Sequence, residues 1–110
     1  MKLLVGLGNP GREYEKTRHN AGFLVLDRLK ARHAPAETPR GRFNALTAEA
    51  RIAEEKVMLL KPTTYMNRSG RSVAEAVNFY KLDPSEDVLI FVDEAALPVG
   101  SLRLRARGSP

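Results

Sequence analysis

The sequence contains no cysteine and no tryptophan, and aromatic residues make up only 6% of its 110 residues. The absence of cysteine excludes disulfides, thiolate metal ligands and a cysteine nucleophile, and it fits a cytoplasmic protein. No apolar run approaches the roughly 20 residues that a membrane helix needs, so we expect no membrane partner. A core with so few aromatic rings must be built mainly from leucine, valine and alanine.

The chain is basic and has the composition of a folded protein. Its 18 lysines and arginines exceed its 13 acidic residues by five, and the sequence pI is about 9.9. This surplus favours a polyanionic partner, nucleic acid above all, although an inert basic surface explains it equally well. The length is that of one small domain, and 43% hydrophobic residues are typical of a globular chain.

The hydrophobic pattern predicts one α/β domain with a mixed, mostly parallel, twisted sheet flanked by helices. We expect amphipathic helices over 21–32, with Asn20 as the N-cap, and over 66–82. A turn is expected at 53–55 and a proline- and glycine-containing loop at 33–41. Strands are predicted at 3–5, 43–52, 56–60, 88–92 and 101–107. The run 88–92 is the most apolar of these, which predicts a central strand.

Three glycines near the start have the G-x-G-x-x-G spacing of a dinucleotide-binding turn. They are Gly6, Gly8 and Gly11. In such a turn the helix begins at the third glycine and an acidic residue follows about 20 positions later. Here the helical pattern begins only after Asn20, and the window about 20 residues beyond Gly11 contains no acidic residue. A P-loop is excluded by the Arg-Glu that replaces its Lys-Ser/Thr, so the glycines do not predict a nucleotide site.

Compact polar residues follow three of the predicted strands. Asn9, Asn67 and Asp93 occupy these positions, and His19 stands at the entry of the first helix. In open α/β sheets, sites gather beyond the carboxyl ends of strands. A histidine oriented by a carboxylate is a general base, and without a G-x-S-x-G nucleophile the simplest chemistry is hydrolysis by an activated water. The two histidines lack the H-x-x-x-H spacing of a zinc site.

Each of these residues also has a purely structural interpretation. Asn9, in Gly-Asn-Pro-Gly, fits a turn residue, and Asn67 fits a helix cap. His19 fits a support of the helix N-terminus, and Asp93 fits a turn former at a strand end. His33, at the end of the first helix, is interpreted as structural because it stabilises the negative end of the helix dipole.

Three sequence blocks resemble, in order and spacing, the signature blocks of bacterial peptidyl-tRNA hydrolase. They are VGLGNPGREYEKTRHNAGF, KPTTYMNRSG and VDEAALPVGSLRLRARGS. The resemblance implies an enzyme that cleaves the ester between a peptide and the terminal ribose of tRNA, without cofactor or metal. It further implies a monomer and a tRNA-binding surface.

The resemblance also implies roles for six residues of this sequence. His19 corresponds to the water-activating base, and Asp93 to the carboxylate that orients it. Asn9 corresponds to the residue that discriminates N-blocked peptidyl-tRNA from free aminoacyl-tRNA. The positions that contact the tRNA end or the peptide are Tyr14, Tyr65 and Asn67.

The chain departs from the family pattern in two places. Ala95 and Ala96 stand where the pattern Asp-Glu-Leu-Asp-Leu-Pro has a leucine and a carboxylate. Relatives continue beyond the position of Pro110 into a Gly-Gly-His-Asn-Gly loop. Residues 1–110 are therefore expected to be the N-terminal part of such a domain, marginally stable and weak or inactive alone, because apolar sheet surface would lack its cover. A non-catalytic RNA-binding relative is the alternative.

Overall fold

Five strands and three helices make up the described part of the chain, which comprises residues 1–8, 21–63 and 69–92 of a computed structural model. The predicted strand 101–107 and the predicted N-cap Asn20 lie outside these residues. In chain order the elements are β1 (Lys2–Gly6), α1 (Ala21–His33), β2 (Arg40–Arg42), β3 (Ala45–Ile52), β4 (Glu55–Pro62), α2 (Ser69–Tyr80), α3 (Pro84–Asp87) and β5 (Val88–Phe91).

The strands form one mixed sheet in the order β2-β3-β4-β1-β5. β1 pairs in parallel with β4 and with β5, whereas β2–β3 and β3–β4 are antiparallel. The mixed α/β sheet is therefore confirmed, but parallel pairs do not outnumber antiparallel ones within the described residues. The reason is that short turns connect β2, β3 and β4, and such turns return the chain in the opposite direction.

The two longer helices cover opposite faces of the sheet. Successive side chains of a strand point to opposite faces, and β4 shows the result: Leu59 packs with Leu26 of α1, while Leu60 packs in the cluster that contains Val73 of α2. All four of these side chains are buried. The predicted flanking of the sheet by helices is confirmed.

Helix α2 presents the stripe that the sequence predicts. Val73 is buried in one core cluster, and Val77 and Tyr80 pack against the same cluster. The helix ends when Lys81 adopts a left-handed conformation, with φ 55°. The amide of Leu82 then donates to the Val77 carbonyl at 3.0 Å, a capping pattern that closes the last turn.

The prediction that 88–92 forms a central strand is wrong for the described residues. β5 is the last strand in the order of the sheet, and β1 and β4 lie in its interior. Leu89 is 53% exposed. An apolar run indicates that a strand packs against covered faces, but it does not indicate that both of its edges are paired.

Strand β2 and helix α3 were not predicted, and strand β3 is shorter than predicted. β2 falls mostly within residues assigned to a loop, because its two arginines and one glycine show no apolar alternation. β3 starts at Ala45 rather than at residue 43, since Phe43 and Asn44 form a turn with φ of 57° and 56°. The turn predicted at 53–55 is confirmed, because Ala53 and Glu54 have φ of 52° and 67°, as a two-residue hairpin loop of type I′ requires.

The short helix α3 is held by a carboxylate network that also binds the start of β1. Asp83 caps the helix by accepting from the Ser85 amide at 3.0 Å. Asp87 accepts from the Asp83 amide at 2.9 Å and from Lys2 Nζ at 3.1 Å. The hydrogen bond from the Asp83 backbone, followed by that from Lys2, lowers the pKa of Asp87. The hydrogen bond to Asp87 raises the pKa of Lys2.

These two shifts predict a pH dependence of stability at both ends of the scale. The contribution of Asp87 is present above its ordinary pKa of 3.8 and is lost as pH falls through the lowered value. The contribution of Lys2 is present below 10.5 and is lost as pH rises through the raised value. Denaturant unfolding across pH should therefore show a smaller difference between the wild type and Asp87→Asn below pH 3.8 than at neutral pH. An equal difference at every pH would contradict this assignment.

Candidate active site

The parallel pairs bring the carboxyl ends of three strands to one edge of the sheet. Val5 of β1 is in register with Leu60 of β4, and Gly6 is in register with Phe91 of β5. The pairing continues past the end of β1, where the Leu7 amide donates to the Phe91 carbonyl at 3.0 Å. The segments that follow β1, β4 and β5 in the sequence therefore start from neighbouring points. We refer to this place as the carboxyl edge.

The first turn of α1 lies directly on the carboxyl edge. A Cβ atom added to Gly22 would lie 2.7 Å from the Leu7 amide nitrogen, and it would overlap the carbonyl oxygens of Leu7 and Phe91. A Cβ on Gly6 would overlap the Gly22 carbonyl and lie 2.8 Å from Leu26 Cγ. Only a glycine pair permits this approach of helix and strands. Gly6, the first glycine of the motif, thus has a packing role that requires no nucleotide.

The residues predicted to form the site all lie outside the described part of the chain. They are Asn9, Tyr14, His19, Tyr65, Asn67 and Asp93. Their assignments therefore remain predictions, and the structure describes only the residues that flank them in the sequence.

Those flanking residues lie at the carboxyl edge or next to it. Segment 9–20 lies between β1 and α1 in the sequence, and residue 93 is separated from the end of β5 by Val92 alone. Segment 64–68 runs from the end of β4 to Ser69, the first residue of α2. Ser69 is fully buried, and its hydroxyl has no hydrogen-bond partner among the described residues.

The carbonyl group of Asn44 joins the residues on either side of segment 64–68. It accepts from the Thr63 amide, from Thr63 Oγ1 and from Ser72 Oγ, each at 3.0 Å. Asn44 adopts a left-handed conformation, which asparagine tolerates better than most residues, and this conformation shapes the turn before β3. The turn of one hairpin thus fixes the end of β4 relative to α2. Sequence reasoning missed this role because the partners are far apart along the chain.

Lys61 connects the end of β4 to the first turns of α1. Its Nζ atom lies 2.7 Å from Asp27 Oδ1 and 5.3 Å from the centroid of the Phe23 ring. Asp27 is 34 positions away in sequence. This separation explains why the pair was not predicted, although Lys61 is the first residue of the KPTTYMNRSG block. The contacts hold the helix and the strand together beside the carboxyl edge.

Residues 1–8, 21–63 and 69–92 contain no group of three or more His, Cys, Asp or Glu side chains arranged to hold a metal ion. No helix within these ranges has the length and apolar composition needed to cross a bilayer.

The fold and the edge geometry define the class of protein. A sheet between helices, with polar segments following the carboxyl ends of adjacent parallel strands, is an α/β architecture, and ligand sites of such architectures generally lie at that edge. The sequence model of the family described as peptidyl-tRNA hydrolase matches residues 3–110. The chain belongs to this family.

Individual relatives agree in sequence and in structure. A peptidyl-tRNA hydrolase of Brevibacillus brevis is 52% identical over 109 residues, which cover 99% of this chain and 57% of the relative. One of Carboxydothermus hydrogenoformans is 53% identical with the same coverage. The crystal structure of peptidyl-tRNA hydrolase from Acinetobacter baumannii matches with a TM-score of 0.73 and 43% identity, over 82% of this chain and 45% of that one. The chain thus spans little more than half the length of these curated relatives.

Proposed function

We propose that this chain is the N-terminal part of a hydrolase that cleaves the ester between a peptide and the terminal ribose of tRNA. The observation that carries the proposal is the convergence of three strand ends and the start of α1 at one edge. The segments that follow these strand ends in the sequence contain the predicted site residues, His19, Asp93, Asn9 and Asn67. Family membership supports the same substrate, and the surplus of basic residues suits a polyanion.

In the proposed reaction His19 is the general base. Its neutral imidazole takes a proton from a water molecule, and the water oxygen attacks the carbonyl carbon of the ester. The bond from this carbon to the ribose oxygen breaks, and that oxygen leaves with a proton as the ribose hydroxyl. Asp93 orients the imidazole and stabilises the imidazolium that forms during attack. The peptide is released as a free carboxylate.

The remaining predicted residues select and hold the substrate in this proposal. Asn9 distinguishes a blocked peptidyl amine from the free amine of aminoacyl-tRNA. Asn67 contacts the substrate with its amide, and the rings of Tyr14 and Tyr65 provide stacking surfaces for terminal bases. None of these roles needs a cofactor or a metal, and we propose that the protein acts as a cytoplasmic monomer on peptidyl-tRNA.

The described residues support this arrangement through their packing. The close approach of Gly6 and Gly22 sets the distance between α1 and the strand ends, and His19 lies two positions before Ala21, the first residue of that helix. The Asn44 carbonyl fixes the residues on either side of the segment that contains Tyr65 and Asn67. A site built from loops needs rigid supports of this kind to keep its geometry.

The test is hydrolysis of N-acetyl-aminoacyl-tRNA by the 110-residue chain, with free aminoacyl-tRNA as the unblocked comparison. Because the chain spans little more than half of its relatives, we expect only slow turnover of the blocked substrate, and this turnover should disappear in His19→Ala. His33→Ala is the matched control, because His33 lies at the far end of α1, and it should retain the wild-type rate. Turnover that survives in His19→Ala would contradict the role of His19. A folded wild-type chain without turnover would show that residues 1–110 are not sufficient for catalysis, and it would favour the alternative, an inactive part of the enzyme or a non-catalytic RNA-binding relative.

A further inference from the structure

An arginine lies over three aromatic rings where β2 meets the end of α2. The guanidinium carbon of Arg42 is 4.7 Å from the ring centroid of Phe43, 5.0 Å from that of Phe79 and 5.7 Å from that of Tyr80. Arg42 Nη1 also donates to the Tyr80 hydroxyl at 2.8 Å. Each of the three distances is within the range of a cation–π contact, so the cluster is ordered by its own side chains.

The rings also support one another and leave one of them open to solvent. The Phe79 and Tyr80 centroids are 4.9 Å apart with an interplanar angle of 84°, and Phe43 lies 5.5 Å from Phe79. These are edge-to-face and tilted contacts, the arrangements that aromatic pairs prefer. Phe79 is nevertheless 61% exposed, the highest value among the large hydrophobic residues of the described chain. Such an ordered, exposed ring provides a surface on which another flat group can stack.

Two further cations are close to this cluster in the sequence. Arg40 on the edge strand β2 and Lys81 after α2 are both exposed, and among the described residues neither they nor Arg42 form an ion pair with a carboxylate. Glu75, one turn earlier on α2, is the nearest acidic residue of that helix, and it accepts from the Asn44 side chain at 3.3 Å. The patch therefore combines an aromatic stacking surface with positive charge that is open to an anion.

We propose that this patch, comprising Arg40, Arg42, Phe43, Phe79, Tyr80 and Lys81, binds unpaired nucleotides of the tRNA beside the reacting end. Base stacking on Phe79 and phosphate contacts from the cations are the chemistry by which proteins hold single-stranded nucleic acid. The inference rests on the proposed function. Its location supports it, because Phe43 precedes Asn44, whose carbonyl binds the end of β4 at the carboxyl edge.

Unpaired nucleotides fit the patch better than a duplex does. The face of a base is available for stacking only when the base is not enclosed between its neighbours in a helix. A double-stranded stem would use the cations alone and would leave the exposed ring without a partner. The phosphates contribute affinity that depends on salt, and the ring contributes affinity that does not.

The test is fluorescence anisotropy of the 110-residue chain with a labelled acceptor-stem hairpin that has an unpaired 3′ end, and with a blunt hairpin. Phe79→Ala and Phe79→Leu should each weaken binding of the first hairpin on the order of tenfold, while Phe79→Tyr, which keeps a ring, should bind like the wild type. Leu89→Ala is the matched control, since Leu89 is a similarly exposed apolar residue on β5, and it should leave the affinity for both hairpins unchanged.

Arg40→Ala should lower the slope of log affinity against log salt by about one, whereas Arg32→Ala should not.

Three outcomes would overturn the inference. The first is an equal loss of RNA affinity in Phe79→Ala and Leu89→Ala. The second is an equal loss of affinity for the two hairpins in Phe79→Ala. The third is a change of self-association in Phe79→Ala without any change in RNA binding, which would identify a protein interface. Binding is measured without turnover, so a chain that does not hydrolyse its substrate leaves this assay intact. Conversely, hydrolysis with an unchanged KM in Phe79→Ala would contradict the RNA-binding role of the patch, and the proposed function would still stand.

Discussion

Replacing Gly22 by alanine should destabilise the fold more than the same replacement at Gly6 or Gly41. The new Cβ atom would overlap the backbone oxygens of Leu7 and Phe91. These two residues lie in neighbouring segments of the backbone that are hydrogen-bonded to each other. Backbone atoms in a ladder cannot move aside as a flexible side chain does, so either α1 shifts away or β1 separates from β5. We expect a loss of about 3 kcal/mol or more, comparable with much of the ~5–15 kcal/mol that stabilises a domain.

The chain provides a matched control for this substitution. Gly41, on the edge strand β2, has no atom within 4 Å of the position that a Cβ would occupy. Gly41→Ala should therefore leave the thermal unfolding midpoint nearly unchanged. Gly22→Ala should lower it by roughly 10 °C or more, given several degrees per kcal/mol for a domain of this size. The same loss in both variants, measured by circular dichroism, would contradict the packing role of Gly22.

The sequence predicted the elements whose apolar periodicity was strong. Helix α1 and the strands β1, β3 and β4 were found within a few residues, because their buried side chains alternate or recur with the period of the element. The stripe of Val73, Val77 and Tyr80 identified the buried face of α2 for the same reason. Local patterns are sufficient to predict an element when one of its faces is buried and the other is exposed to solvent.

The errors have a common physical origin, since they concern facts that are not local. The place of β5 in the described sheet depends on which strands pair with it, and the apolar composition of β5 does not indicate its partners. β2 contains only arginines and a glycine, and it is a strand because β3 offers it a partner. The turn at Phe43 and Asn44 has a bulky residue in a left-handed conformation, which no turn rule favours; contacts with Phe79 and Tyr80 accompany it.

The tertiary contacts that position the segments of the candidate site could not be predicted from the sequence either. Residue chemistry and the order of strand ends suggested His19, Asp93, Asn9 and Asn67. The same reasoning found neither the glycine contact beneath α1 nor the Asn44 carbonyl bonds, because both join residues that are distant along the chain. Chemistry that one side chain can perform is readable from a sequence. The geometry that makes it effective depends on tertiary contacts.

Under the proposed function, His19 and Asp93 should behave as one catalytic unit in a double-mutant cycle. His19→Gln should lower kcat/KM for N-acetyl-aminoacyl-tRNA by about 10²–10⁴-fold, because a positioned general base contributes that much. Asp93→Asn should also lower it, since the imidazole loses its orienting partner. The double variant should be no slower than His19→Gln alone, because Asp93 is proposed to act only through His19. Losses that multiply would show that the two residues act separately.

The pH profile distinguishes this unit from two residues that merely support the fold. A general-base imidazole must be neutral, so kcat/KM of the wild type should fall as pH drops through the region of about 6.5 where an ordinary histidine gains its proton. Asp93→Asn should move that midpoint to lower pH, because a neighbouring carboxylate favours the charged imidazole and its removal reverses the effect. Glu54→Gln, which removes an exposed carboxylate from the turn between β3 and β4, should leave the profile unchanged. A flat profile between about pH 5 and 8 would exclude His19 as the base, whatever the rates of the variants.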